Sequence, residues 1–169
     1  MRSFVAINLP PNEILTGIIS ENKHFGKVVE GKNLHLTLKF LGDIKDADQI
    51  GKRLEAIRYQ KFVVTLKGLG AFPSQQSGRV LFVRAFPEAQ LKELAAEVNS
   101  MTMEIPLDRP FTPHITLLRV KDRKNFTDLI EKYSETVFMV QEVSSFCLYE
   151  SKLTPTGPIY REIRSYQLM

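Results

Sequence analysis

Cysteine is almost absent from this chain of 169 residues, and long apolar runs are missing. The single thiol, Cys147, excludes an internal disulfide and a zinc site built from cysteines, and we expect it to be a small buried apolar side chain. No apolar run approaches the roughly 20 residues that a membrane-spanning helix requires. The N-terminal stretch is too short and too interrupted by prolines to be a signal peptide. We therefore expect a cytoplasmic protein that does not enter a membrane.

Charge of one sign is only slightly in excess. The chain has 23 basic and 19 acidic residues, a net charge of +4, with 43% hydrophobic and 25% charged residues. The excess fits an anionic partner such as nucleic acid, but many proteins that bind none carry as much. The length and composition are those of one globular domain spanning residues 1–169, which we expect to be monomeric. No glycine-rich nucleotide-binding loop is evident, and no cofactor is expected.

Histidine is also scarce, with three in the chain, but two of them begin matched tetrads. The sequence HLTL covers residues 35–38 and HITL covers residues 114–117. Alternate side chains of a strand point to the same face, so each tetrad predicts a strand with His and Thr on one face and aliphatic residues on the other. Each tetrad strand thus has one side for a core and one for another purpose.

Hydrophobic periodicity predicts the other elements around the two tetrad strands. Their order favours an α+β fold with antiparallel sheets and helices packed outside, in which the two halves of the chain look like distant duplicates. A polar, turn-rich loop is predicted at 72–78, after a strand broken by Gly68 and Gly70. The predicted strands are 2–9, 34–41, 62–66, 79–85, 114–120, one or two within 137–149, and 159–168. The predicted helices are 11–24, 46–58, 88–103 and 122–133.

The two histidines suggest acid–base chemistry at a phosphate. The unperturbed pKa of histidine lies nearest neutrality, so His35 and His114 could act as base and acid in one turnover if their strands face each other. The neighbouring threonine hydroxyls could donate hydrogen bonds to an anion. A metal site is the competing interpretation, but a catalytic zinc normally needs three protein ligands, and neither Asp43 nor Asp108 has a recognisable ligand spacing. No metal site is therefore expected.

The tetrad pair resembles the H-x-T/S-hydrophobic pair of the 2H phosphoesterase superfamily. Within it, the stretches LHLTLKFLGD and PHITLLR are similar to the RNA 2′,3′-cyclic phosphodiesterase family, also called the 2′-5′ RNA ligase family. The terminal stretches MRSFVAINLP and SKLTPTGPIYREI are similar as well, so the resemblance covers essentially the whole chain. It implies a bilobal fold with pseudo-two-fold symmetry, in which antiparallel sheets face a central groove.

The resemblance also implies roles for individual residues. His35 and His114 would be the catalytic pair, and Thr37 and Thr116 would hold the phosphate. Family members often carry an arginine five residues after the second histidine, which here is Arg119. The family's reaction is metal-free hydrolysis of an RNA 2′,3′-cyclic phosphate to a 2′-phosphate. Some members also join tRNA halves reversibly through a 2′-5′ bond.

Strand alternation separates two basic residues near the tetrads. An odd offset places Arg119 on the face opposite His114, so it reaches the groove only if a bulge or the strand end turns it. An even offset places Lys39 on the His35 face, where it would add positive potential to the groove. Phe40 and Tyr160 are candidates for stacking on a base, although such residues are more often part of the core.

Three functional hypotheses follow from the sequence. The favoured one is a phosphodiesterase acting on RNA with a 2′,3′-cyclic phosphate end, with His114 as base toward water and His35 as acid toward the departing 3′ oxygen. The partner would then be an RNA end, which tRNA halves also provide. A second hypothesis is a non-catalytic RNA-binding module. A third keeps the enzyme but replaces RNA with a small cyclic nucleotide or an ADP-ribose derivative.

Overall fold

The computed structural model describes all 169 residues, in nine strands and four α-helices. No helix combines the length and the apolar character needed to cross a membrane. The strands are β1 Arg2–Asn8, β2 Gly26–Val28, β3 His35–Asp43, β4 Phe62–Pro73, β5 Gly78–Phe86, β6 His114–Lys124, β7 Val137–Val143, β8 Ser145–Thr154 and β9 Gly157–Gln167. The helices are α1 Glu13–Asn22, α2 Ala47–Leu54, α3 Glu88–Ser100 and α4 Thr127–Lys132.

The strands form two antiparallel sheets, which confirms the predicted α+β class. One sheet has four strands in the order β3-β1-β8-β9, and the other has five in the order β2-β6-β5-β4-β7. Every neighbouring pair of strands is antiparallel. The two tetrad strands, β3 and β6, belong to different sheets and contact each other. The fold therefore brings residues from distant parts of the chain to one place.

The two sheets do not correspond to the two halves of the chain. Strands β4 and β5, from the first half, complete the sheet of the second tetrad, while β8 and β9 from the C-terminal end join the sheet of the first. Without β2, the orders β3-β1-β8-β9 and β6-β5-β4-β7 match strand for strand. The repeat is therefore a property of the sheets. Local periodicity in the sequence cannot reveal this repeat, because periodicity does not indicate which distant strand a given strand will pair with.

A single hydrophobic core holds the helices against the sheets. The predicted aliphatic face of each tetrad is buried, with Leu36 and Leu38 at 0% and 2% exposure and Ile115 and Leu117 at 1% and 0%. Helix α1 begins after Asn12, whose side chain accepts a hydrogen bond from the Leu15 amide and so caps the helix. The buried apolar residues of the helices are Leu15, Ile18 and Ile19 of α1, Ile50 and Leu54 of α2, and Leu91, Leu94, Ala95 and Val98 of α3.

Two predicted boundaries are wrong for the same reason. Strand β4 does not end at 66 but continues to Pro73 through a register shift between Leu66 and Leu69, where Gly68 adopts a left-handed φ of 75°. Helix α4 starts at Thr127 and not at 122, because β6 extends to Lys124. In both places pairing with a neighbouring strand outweighs the local breaker or helix signal.

Cys147 is buried at 5% exposure, as predicted, but it is not simply apolar. Its thiol donates a hydrogen bond to the Glu162 carboxylate at 3.0 Å. Burial, and then the neighbouring carboxylate, raise the pKa of the thiol to about 11. The thiol is therefore held in its protonated form at neutral pH.

Candidate active site

His35 and His114 occupy the same position in their strands and make the same hydrogen bond. Each is the first residue of its strand, and each is half-buried. The Nδ1 atom of His35 lies 2.6 Å from the carbonyl oxygen of Asn33, and that of His114 lies 2.6 Å from the carbonyl oxygen of Thr112. A carbonyl only accepts, so Nδ1 must carry the proton in both rings. In the neutral form of each ring, the lone pair is therefore on Nε2.

Aromatic side chains hold both imidazole rings in place. The His35 ring lies 5.0 Å from the Phe4 ring and 5.1 Å, edge to face, from the Tyr160 ring, measured between centroids. The His114 ring lies 5.2 Å from Phe72 and 5.5 Å from Phe82 in similar edge-to-face contacts. Together with the Nδ1 hydrogen bonds, this packing fixes the orientation of both rings.

The burial that this packing produces also lowers the pKa of both histidines. For His35 burial is the largest cause and the positive charge of His114 a smaller one, while the hydrogen bond to Asn33 opposes them. For His114 burial is again the largest cause, and the charges of Arg119 and Arg109 add to it against the hydrogen bond to Thr112. The effect of His114 on the pKa of His35 agrees with the contact between their strands. Both rings therefore favour the neutral form more than a free histidine does.

A β-bulge follows the threonine in both tetrad strands. In β3, Ala6 pairs with Thr37 and Val5 with Lys39, so Leu38 is an extra residue. In β6 the pairs Phe82–Thr116 and Leu81–Leu118 likewise leave Leu117 extra. Each bulge reverses the alternation of the residues after it. The positions of Thr37 and Thr116, two residues from each histidine, lie before the bulges, and both residues stay half-buried on the histidine face.

The bulge in β6 turns Arg119 to the same face of the sheet as His114. Arg119 pairs with Val80 of β5, which shares a sheet face with Phe82 and therefore with His114. The Arg119 side chain is exposed. Its charge adds to the burial that lowers the pKa of His114, and it opposes the burial that raises the pKa of Tyr160, a residue of the other sheet. Simple alternation put Arg119 on the opposite face, and that expectation is wrong because of the extra residue.

The equivalent bulge in β3 turns Lys39 away from the groove and toward the core. The expectation that Lys39 adds positive potential to the groove is therefore wrong. Lys39 is 3% exposed and lies with the core residues. Its ammonium donates to the side-chain oxygen of Asn99 at 2.7 Å and to the carbonyl of Ile105 at 2.6 Å. It also donates to the carbonyl and hydroxyl of Thr102, at 2.9 and 3.0 Å. Lys39 thus ties β3 to the end of α3.

A pocket of about 160 Å³ opens beside His35. Tyr160, a sequence candidate for base stacking, lines it, whereas Phe40, the other candidate, lies exposed further along β3. No sequence pattern indicated Phe4, because five consecutive residues of β1 are buried and alternation shows no functional face there. The pocket lining consists of His35 with Phe4, Asn8, Lys32, Asn33, Tyr149 and Tyr160.

Metal-binding side chains do not cluster at this site. In the structure no group of three or more His, Cys, Asp or Glu residues is placed to hold a metal ion. The third histidine, His24, is exposed and packs on Phe25 with ring centroids 3.9 Å apart. The site therefore offers two oriented imidazoles, two threonines and an arginine, a set suited to proton transfer at an anionic centre.

Known proteins resemble this chain in sequence over nearly its whole length. The family described as the 2′-5′ RNA ligase superfamily matches residues 10–154. A protein of Archaeoglobus fulgidus named RNA 2′,3′-cyclic phosphodiesterase is 37% identical over 177 residues, covering 99% of this chain and 100% of the relative. A protein of the same name from Methanocaldococcus jannaschii is 35% identical, covering 98% of this chain and 100% of the relative.

Solved structures resemble it in fold as well. The crystal structure of E. coli LigT in its apo form superposes with a TM-score of 0.76 at 30% identity, covering 99% of this chain and 96% of that one. E. coli LigT complexed with phosphate gives a TM-score of 0.71 at 28% identity over the same shares. These likenesses extend over both sheets and therefore include the strands that carry the two histidines.

Proposed function

The chain belongs to the 2′-5′ RNA ligase superfamily of two-histidine phosphoesterases, and from this premise we propose that it hydrolyses the 2′,3′-cyclic phosphate end of RNA to a 2′-phosphate. The relatives that bear the name RNA 2′,3′-cyclic phosphodiesterase support this activity. The observation that carries the catalytic part is the matched hydrogen bond from each Nδ1 to a backbone carbonyl. It leaves two Nε2 atoms as a base and an acid on facing strands.

The reaction follows from the two rings. The neutral His114 ring takes a proton from water through Nε2, and the water oxygen bonds to phosphorus opposite the 3′ oxygen. As the bond from phosphorus to the 3′ oxygen breaks, protonated His35 gives its Nε2 proton to that oxygen, which leaves a 3′-hydroxyl and a 2′-phosphate. The charges of Arg119 and Arg109 favour the neutral form of His114, and this supports His114 as the base.

The remaining groups stabilise charge on the phosphate. The hydroxyls of Thr37 and Thr116 donate to the non-bridging oxygens, and the Arg119 guanidinium offsets the negative charge that develops in the transition state. No step needs a metal ion or another cofactor. The presence of phosphate in a complex of E. coli LigT agrees with an anion site in this fold.

Ligation uses the same two histidines in the same roles. A 5′-hydroxyl takes the place of water as the nucleophile, so that tRNA halves become substrates and a 2′-5′ bond forms. Because the same protons move, hydrolysis and ligation share the requirement for His35 and His114.

The test is hydrolysis of a short RNA ending in a 2′,3′-cyclic phosphate, with and without EDTA. We expect conversion to a 2′-phosphate at the same rate in both conditions. Replacing either His35 or His114 with alanine should reduce the rate by about 10²–10⁴-fold, the usual contribution of a general acid or base. His24→Ala is the matched control, since it removes the third imidazole of the chain, which is exposed. This variant should keep the wild-type rate.

Each unfavourable result excludes a different part of the proposal. Loss of activity in EDTA would remove the metal-free mechanism. A histidine variant with a near-normal rate would remove that residue from it. Tight RNA binding without any conversion would instead support a binding module, and activity on mononucleotides but not on RNA would identify a small cyclic nucleotide as the substrate.

A further inference from the structure

The two tetrad strands match up to their bulges and then differ in charge. Beyond the bulge, the groove face of β3 continues with Phe40, which is 60% exposed and pairs with Phe4. A second register shift makes Leu41 an extra residue, so the next residue on this face is Asp43. At the position equivalent to Phe40, β6 has Arg119, and strand alternation then places Lys121 on the same face; both are exposed. Of the two tetrad strands, only β6 therefore continues its groove face with positive charge, and this breaks the pseudo-two-fold symmetry of the site.

Strand β2 adds a third cation to this side. It pairs with β6 so that Lys27 lies directly opposite Arg119, and the two side chains share one face of the sheet. A glycine at position 26 permits this approach, since a Cβ there would lie 2.0 Å from the carbonyl oxygen of Arg119. The resulting basic row consists of Lys27, Arg119 and Lys121, and the sheet of the first tetrad has no strand equivalent to β2.

The cations of the basic row do not stabilise the folded protein through ion pairs. None of its members takes part in the ion pairs of the structure. Like charges directly opposite each other in a sheet destabilise it, as Lys27 and Arg119 must do. By contrast, Lys52 and Lys92, exposed cations on the helices, do have carboxylate partners. An unpaired, self-repelling row that starts at a catalytic site is suited to an anion that arrives with the substrate.

Given the proposed function, we propose that the basic row binds the phosphodiester backbone of the RNA immediately upstream of its cyclic phosphate end. With the terminal phosphate between His35 and His114, the next phosphates of the chain pass over Arg119 and then between Lys27 and Lys121. Alternate residues of a strand are about 6.7 Å apart, so the row offers cations in sequence along β6. The body of the RNA leaves on this side and not past Phe40.

The test measures binding of a labelled RNA decamer that ends in a 2′-phosphate, the product of the proposed reaction, between 50 and 400 mM KCl. The variant Lys27→Gln/Lys121→Gln removes two cations and leaves Arg119 in place. Each phosphate contact to single-stranded nucleic acid contributes about 0.7 to the slope of log K against log salt. We therefore expect the variant's slope to be shallower by about 1.4, and its Kd at 50 mM KCl to be raised roughly tenfold.

Lys92→Gln/Lys132→Gln is the matched control. It removes the same charge from exposed lysines on α3 and α4, the helices on the core side of the sheets, and should keep the wild-type slope. Thermal unfolding of each variant checks that it is folded. Should the double variant fail to fold, Lys121→Gln alone is expected to give half of the change in slope.

A second measurement uses catalysis. The ratio of kcat/KM for the decamer with a cyclic phosphate end to kcat/KM for a nucleoside 2′,3′-cyclic phosphate should fall roughly tenfold in Lys27→Gln/Lys121→Gln at low salt, since only the longer substrate reaches the row. An unchanged slope and an unchanged ratio would overturn the proposal. Failure of the wild type to hydrolyse either substrate would refute the proposed function, while the binding slope would still decide the role of the row.

Discussion

Replacing Lys39 with methionine tests the most unexpected contact in the structure. The substitution keeps the length and most of the apolar stem of the side chain but removes the ammonium. Four hydrogen bonds are lost with it, to Asn99, Ile105 and both oxygens of Thr102. Thr102 is 0% exposed, so its oxygens have no access to water, whereas the acceptors of Asn99 and Ile105 are only partly buried.

The expected loss of stability follows from these four acceptors. A hydrogen bond to a charged group contributes about 1.5–3 kcal/mol, and four such bonds are lost. Both oxygens of Thr102 keep one other partner, since its carbonyl accepts from the Ile105 amide and its hydroxyl donates to the Val98 carbonyl. Removing the ammonium also removes the cost of its burial, which already lowers the pKa of Lys39. We therefore expect the free energy of unfolding to fall by about 3 kcal/mol, and the unfolding temperature by roughly 6–12 °C for a chain of this size.

Urea denaturation followed by circular dichroism measures this change. The midpoint should fall while the m value stays the same, because the native fold is kept. Lys45→Met is the control: it changes an exposed lysine just beyond the same strand and should alter stability by less than about 0.5 kcal/mol. A loss below about 1 kcal/mol in Lys39→Met would show that the ammonium is not the tie between β3 and the end of α3.

Three further predictions concern the histidines and their surroundings. Because the pKa of both His35 and His114 is lowered, chiefly by burial, the bell-shaped pH profile of kcat/KM should have its optimum below pH 6.5. A measured optimum above pH 7 would contradict this prediction. Arg119→Gln should reduce kcat/KM by about 10²-fold and move the acid limb of the profile to higher pH, since the pKa of His114 rises when the neighbouring charge is lost. Arg119→Lys keeps the charge and should keep the acid limb in place. A lower rate in Arg119→Gln without a shift of the acid limb would show that Arg119 does not act on His114. Gly70→Ala should destabilise the fold by about 1–3 kcal/mol and lower kcat, because the added Cβ would lie 2.4 Å from the ring of Phe82, which packs on His114. Unchanged stability in thermal unfolding would mean that the Phe82 ring moves aside without cost.

Much of the candidate site could be predicted because it depends on short-range pattern. The alternation of His, aliphatic, Thr and Leu assigned opposite faces to neighbouring residues, and Leu36 and Ile115 are buried as that pattern requires. The roles of His35 and His114 remain proposals, but their matched positions did not need a structure to be noticed. Phe4, which also holds the His35 ring, gave no such signal, because its strand is buried at five consecutive positions.

The sequence by itself determined that two equivalent strands exist, which of their faces is apolar, and which side chains are the candidates for the chemistry. These are local properties, since successive side chains of any strand point in opposite directions. Only the tertiary structure decided that Arg119 faces the groove and Lys39 the core, because a bulge is an extra residue relative to a partner strand and exists only when that partner is in place. It also decided that β8 and β9 complete the first sheet, and that β2 places Lys27 beside Arg119, since pairing between distant strands leaves no periodic trace in the chain.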